Sequence, residues 1–189
     1  MKKLILSLLL AAFVGGNTLS AQTITKNEDG KYSLSVGHVT LTVDAQKGGK
    51  IVSYRYDDKE ILSQTKIPNS FGSTFWTSPQ SEWNWPPVPE YDTKPFNAEV
   101  AGDKLILTGE KSKRFGYRVR KELTTDKKDN AIVITYTIIN ESGETRKVAP
   151  WEISRVPNGG ILFFDAKEVT PANNMETMPF VYEKKAAWY

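Results

Sequence analysis

From residue 31 onward, apolar and polar residues alternate one for one. Tyr32, Leu34 and Val36 are separated by Ser33 and Ser35, and Val39, Leu41 and Val43 by Thr40 and Thr42. A period of two sends successive side chains to opposite faces of an extended chain, so this stretch is built for half-buried strands. The apolar parity changes at Gly37-His38, which marks a tight turn or a bulge. Gly48-Gly49 precedes a further run from Ile51 to Tyr56, and Asp57-Asp58 turns the chain toward Ile61-Leu62. Strands are also predicted over 96–100, 105–108 and 117–123. The last pairs with 131–140 across Asp126-Lys127-Lys128-Asp129-Asn130, and Glu141-Ser142-Gly143-Glu144 then leads into 148–156.

No segment carries an apolar stripe at helical spacing with caps, and roughly ten short strands bounded by turn residues predict an all-β antiparallel sandwich. There is no glycine-rich phosphate loop, no Walker pattern and no nucleophile elbow. Cysteine is absent and His38 is the only histidine, which excludes disulfides, thiolate metal sites, cysteine nucleophiles and any mechanism built on two imidazoles. No cofactor and no metal is expected.

The N-terminus reads as an address. Lys2 and Lys3 precede an apolar run from Leu4 to Val14, broken by Gly15, Gly16 and Asn17, and Leu19-Ser20-Ala21 offers a small residue at a cleavage point before Gln22. The run is too short to span a bilayer. Residues 1–21 are therefore expected to be a signal peptide and 22–189 the exported domain, periplasmic or secreted, without stable membrane insertion. The chain has 25 basic and 22 acidic residues, and two of the bases are Lys2 and Lys3. The body is close to neutral, which argues against nucleic acid as a partner.

Between Asn69 and Pro95 the alternation stops. Trp76, Trp83 and Trp85 fall within ten residues, punctuated by Pro79, Pro86, Pro87, Pro89 and Pro95. The stretch is expected to be a long ordered loop, since buried aromatics offset ordering entropy and prolines reduce it. An indole offers a flat apolar face and one N–H, which suits a sugar ring, and Gln80, Ser81, Glu82 and Asn84 offer polar groups among the tryptophans. Packing of the loop onto the sandwich accounts for the same residues; Trp76 beside Phe75 is expected to be the anchor and Trp83 or Trp85 the wall of a site.

A second cluster is Ala149-Pro150-Trp151-Glu152-Ile153-Ser154-Arg155. In an extended chain Trp151, Ile153 and Arg155 share one face, and Glu152 and Ser154 the other. An arginine beside an indole suits a polar ligand, and Glu152 is the candidate general acid or base. The plain alternative is a strand-end ion pair with core packing. His38 reads as a turn residue. Lys111, Lys113, Arg114, Arg118 and Arg120 form a local basic stretch, with the last two on a solvated strand face.

Three segments carry a resemblance: Gly48-Gly49-Lys50-Ile51-Val52-Ser53, Gly72-Ser73-Thr74-Phe75-Trp76-Thr77-Ser78-Pro79-Gln80, and Ala149-Pro150-Trp151-Glu152-Ile153-Ser154-Arg155-Val156. They are similar to an uncharacterised family of bacterial secreted proteins, a domain of unknown function placed among the galactose mutarotase-like (aldose 1-epimerase-like) β-supersandwiches. The similarity spans about residues 30–165. It implies a supersandwich and a carbohydrate-related role. Mutarotases that resemble this fold use a histidine acid and a glutamate base; here the comparable strand carries Trp151 and Glu152 and no histidine. A supersandwich takes roughly 250 residues, so the domain is expected to be incomplete at its C-terminus.

Three functions remain open on these grounds. The first is an exported sugar-binding domain lined by Trp76, Gln80, Trp83, Trp85, Trp151 and Arg155. The second is an epimerase-like isomerase or other carbohydrate-active enzyme using Glu152. The third is a structural envelope protein without a sugar ligand.

Overall fold

The computed structural model describes residues 24–65, 67, 70–157, 161, 163–165, 181–184 and 186–188. The expected signal peptide lies outside these residues. The regular structure of the described chain is almost wholly strand: β1 (Ile24–Lys26), β2 (Tyr32–Val36), β3 (Val39–Asp44), β4 (Lys50–Tyr56), β5 (Lys59–Glu60), β6 (Ser73–Ser78), β7 (Asn97–Ala101), β8 (Lys104–Thr108), β9 (Tyr117–Asp126), β10 (Ala131–Asn140), β11 (Ala149–Ser154), β12 (Phe163–Asp165), β13 (Val181–Glu183) and β14 (Ala186–Trp188). One short helix, α1 (Pro89–Asp92), and a single 3-10 turn at Gln80–Glu82 interrupt them.

Seven strands form one antiparallel sheet in the order β1-β2-β3-β4-β6-β11, with β5 alongside β4. Four form a second in the order β10-β9-β8-β7, and β12-β14-β13 make a small third. The alternation read from the sequence decides which side each strand buries. Leu34, Leu41, Val43 and Ile51 from the large sheet meet Leu105, Leu107, Val119 and Leu123 from the second in one core. The all-β antiparallel sandwich expected from the sequence is the fold found. The hairpin β9–β10 is as read, in register from Ala131 opposite Asp126 to Asn140 opposite Tyr117.

One reading is corrected. The stretch 69–95 is not loop throughout, because β6 runs through it and pairs with β11 from Ser73 opposite Ser154 to Ser78 opposite Ala149. Residues 73–77 are all buried, so both faces of β6 are covered and no polar alternation marks it. The sheet side of β6 carries Phe75, stacked on Tyr136 of β10 at 4.5 Å between ring centroids. The other side carries Trp76, covered by the indoles of Trp83, Trp85 and Trp151.

Two glycines hold these elements close. Gly72 has φ of +65°, and a Cβ there would lie 2.2 Å from the Ile51 carbonyl oxygen. Gly48 has φ of +64°, and its Cβ would lie 2.3 Å from the carbonyl oxygen of Asp92 in α1. Only a residue without a side chain permits either approach. The Gly48 amide also donates to the Lys94 carbonyl at 2.9 Å, which ties the segment after α1 to the turn before β4.

Candidate functional site

Antiparallel pairing places opposed residues on the same side of a sheet. Trp151 lies opposite Trp76, and Ile153 opposite Thr74; Glu152 lies opposite Phe75, and Ser154 opposite Ser73. The β6–β11 pair therefore presents an aromatic side turned away from the four-stranded sheet and a polar side turned toward it.

Trp76 is the centre of the aromatic side. It is buried, and Trp83, Trp85 and Trp151 meet it edge-on at 5.8, 5.9 and 5.6 Å between centroids. Its indole Nε1 donates to Asp92 Oδ1 at 2.9 Å, so the ring's polar edge is satisfied inside the protein. Trp83 is also buried, and its Nε1 donates to the Thr77 carbonyl at 2.9 Å. Trp83 is thus an anchor alongside Trp76. Trp85 is different: 68% of it is exposed. The turn that lifts it out is set by the 3-10 segment, where the amides of Trp83 and Asn84 both donate to the Gln80 carbonyl. Asn84 then takes φ of +54°, a region that asparagine tolerates better than most residues. Gln80 is exposed beside this turn, and Trp151 is half-buried.

Arg155 completes the aromatic side. Its guanidinium lies over the Trp76 ring at 5.9 Å and donates from Nη1 to Thr74 Oγ1 at 3.2 Å. Arg155 and Glu152 point to opposite faces and make no ion pair. Near Arg155 sits Lys50, 5% exposed, with its ammonium 3.9 Å from the centre of the Phe71 ring. Burial holds the Lys50 ammonium below the usual lysine range, and the neighbouring charge of Arg155 adds to this while Asp92 opposes it.

The polar side of the same strands borders a cleft of about 300 Å³ walled by Leu41, Ile51, Leu62, Ile132, Ile134 and Tyr136. Glu152 stands at its edge, accepting a hydrogen bond from the Ser73 hydroxyl, which lies 2.9 Å from the Ser154 hydroxyl. Burial pushes the Tyr136 hydroxyl well above the ordinary tyrosine range, and the facing Glu152 carboxylate adds to it. Deeper lies Lys121, whose Nζ donates to the carbonyls of Gly48 and Gly49 at 2.8 and 2.9 Å among the rings of Phe75, Phe96 and Tyr136. Burial pushes its ammonium down to about 8, against the pull of the Glu152 and Asp92 carboxylates.

The structure thus brings together Trp76, Trp83, Trp85, Trp151 and Arg155, with Gln80 beside them, and leaves Glu152 behind the sheet. His38 sits on the exposed β2–β3 turn, 2.7 Å from Asp57 and stacked on Tyr56. Among the described residues no group of three or more His, Cys, Asp or Glu side chains is arranged to hold a metal ion, and no helix is long and apolar enough to cross a membrane. Lys50, Asp92 and Lys121 are not legible from the sequence as site residues. For Lys121 a signal exists: it occupies an inward position between Val119 and Leu123.

No family model matches the chain, and no curated protein matches it. Among solved structures the chain is similar to the 4-alpha-glucanotransferase from Thermococcus litoralis, at 15% identity and a TM-score of 0.40 over 60% of this chain. The match spans 23% of that enzyme's chain. A likeness this slight says nothing of what the present chain does.

Proposed function

We propose that this is an exported carbohydrate-binding domain of galactose mutarotase-like type, which takes a sugar on the aromatic side of β6 and β11. The observation that carries the reading is Trp85, an indole 68% exposed that is nonetheless held edge-on against the buried Trp76. Its contact with Trp76 uses only part of the ring and leaves the rest open to a ligand, and its support reduces the entropy a ligand contact must overcome. Trp151 and Arg155 extend the same surface, giving the apolar wall and the hydrogen-bond donors that ring hydroxyls need. Trp76 and Trp83 hold that surface in place from beneath. Titration of the mature chain with a panel of neutral and acidic oligosaccharides, monitored by tryptophan fluorescence, tests this. Binding that weakens at least tenfold in Trp85→Ala supports the reading; no binding, or binding indifferent to Trp85, ends it.

A second reading, a carbohydrate-active enzyme using Glu152, draws on the cleft on the other side, where Glu152 has Ser73, Ser154 and Tyr136 around it. A carboxylate at the edge of an apolar cleft is a reasonable general base. Turnover of a glycan by the chain that disappears in Glu152→Gln would favour it over the first.

A further inference from the structure

The aromatic side gathers two cations, Lys50 over the Phe71 ring and Arg155 over the Trp76 ring. The Arg155 amide donates to the Gly72 carbonyl at 3.1 Å, next to Phe71, which brings the two cations to one end of the β6–β11 pair; the Asp92 and Lys47 charges also reach Lys50. Asp92 is already engaged by the Trp76 indole. Neither Lys50 nor Arg155 forms an ion pair with a carboxylate among the described residues, although Lys50 is almost fully buried. Placing an unpaired cation in a low-dielectric site is costly, more so beside a second cation, and an anion brought to that site relieves the cost. Arg155 is arranged to meet one. Its ring contact with Trp76 and its bond to Thr74 fix the guanidinium plane, and one bond to Thr74 uses one of five N–H donors.

We propose that Arg155 and Lys50 make the aromatic side selective for carboxylate-bearing sugars, with Arg155 forking onto the carboxylate of a uronic acid unit and Lys50 supporting it from beneath. A planar carboxylate matches the guanidinium fork in a way a hydroxyl does not, while the sugar ring rests on Trp85 or Trp151. The inference rests on the carbohydrate-binding reading above and adds the class of sugar.

The test uses galacturonate, glucuronate and mannuronate tetrasaccharides, each beside its methyl ester, which keeps the backbone and removes the charge. The mature chain is expected to bind at least one acid form tenfold or more tighter than its ester, with affinity that falls as salt is added. Arg155→Gln should bring acid and ester to within about twofold, and Arg155→Lys should keep part of the preference. Lys50→Met should reduce it with the aromatic surface intact. Thermal melts and near-ultraviolet circular dichroism establish that each variant is folded; if Arg155→Gln does not fold, Arg155→Lys and Lys50→Met decide. Equal binding of every acid and its ester overturns the charge preference while the sugar reading stands. Loss of preference in no variant overturns the assignment to Arg155 and Lys50. Absence of binding to every sugar overturns both.

Discussion

Lys121 donates from its ammonium to the carbonyl oxygen of Gly48 at 2.8 Å, deep inside the sandwich where the lysine is only 3% exposed. Its ammonium is pushed down to about 8 by burial, from the ordinary value of 10.5. Between those two values the unfolded chain binds more protons than the folded one, so stability is expected to rise with pH across that window. The gain should be ~1–3 kcal/mol, and below about pH 8 it should be absent because both states are protonated. Tyr91 and Tyr136, whose hydroxyls are raised by burial, act with the opposite sign above about pH 10. Urea melts at pH 7.5, 9 and 10 measure the rise, and Lys121→Met should flatten it. A wild-type slope unchanged by that substitution would show that other groups are responsible.

Trp83 and Trp85 are two residues apart and should respond very differently to truncation. Trp83→Ala removes a buried indole and leaves the Thr77 carbonyl without its donor, which is expected to cost ~3–5 kcal/mol. Trp85→Ala removes a ring mostly in solvent and should change stability by less than ~1 kcal/mol. Denaturant midpoints of the two variants give the comparison directly. Similar losses for both would mean that Trp85 is packed more tightly than its exposure implies.

Gly48 and Gly102 share a φ of +64°, yet a Cβ at Gly102 would meet nothing within 4 Å, whereas one at Gly48 meets the backbone of Asp92. Alanine at Gly102 should therefore cost only the strain of the left-handed region, ~1–2 kcal/mol. Alanine at Gly48 should cost a further ~1–3 kcal/mol and perturb the tryptophan near-ultraviolet dichroism, since α1 must move with the Asp92 carboxylate that holds Trp76. Equal effects at the two glycines would remove the close approach from the explanation.

Mutarotation needs an acid and a base on either side of a sugar ring. The histidine and the glutamate that could form such a pair are not together: Glu152 points to the face away from Trp76, and His38 is bound to Asp57 on the β2–β3 turn. Polarimetry with glucose or galactose is expected to give the buffer rate. A rate above the blank that vanishes in Glu152→Gln would instead place chemistry in the cleft beside Tyr136.

Strand periodicity accounts for what is legible in the sequence. The opposition of Trp151 and Glu152 can be read because β11 alternates, and the β9–β10 hairpin because both strands keep one face to the core. β6 is hidden because both its faces are covered, so it looks like a run of mixed residues with no period. Lys121 escapes notice because its charge outweighs its position, although its neighbours at 119 and 123 both point inward. The division of labour between Trp83 and Trp85 depends on a turn at Asn84 that residue type alone does not specify. Lys50 and Asp92 come to the aromatic side from segments far apart in the chain, and only the Gly48 contact with Asp92 shows why they meet.

The Gly48 turn also joins groups on the two sides of the large sheet. Gly48 is gripped from within by the Lys121 ammonium and pressed from outside by the Asp92 backbone, and the Asp92 side chain holds the ring on which the other indoles rest. It works as a rivet: one short turn fastens the buried lysine to the segment whose carboxylate orients Trp76. Tryptophan emission is therefore expected to report any substitution that shifts the Gly48 turn, such as Lys121→Met, without a label.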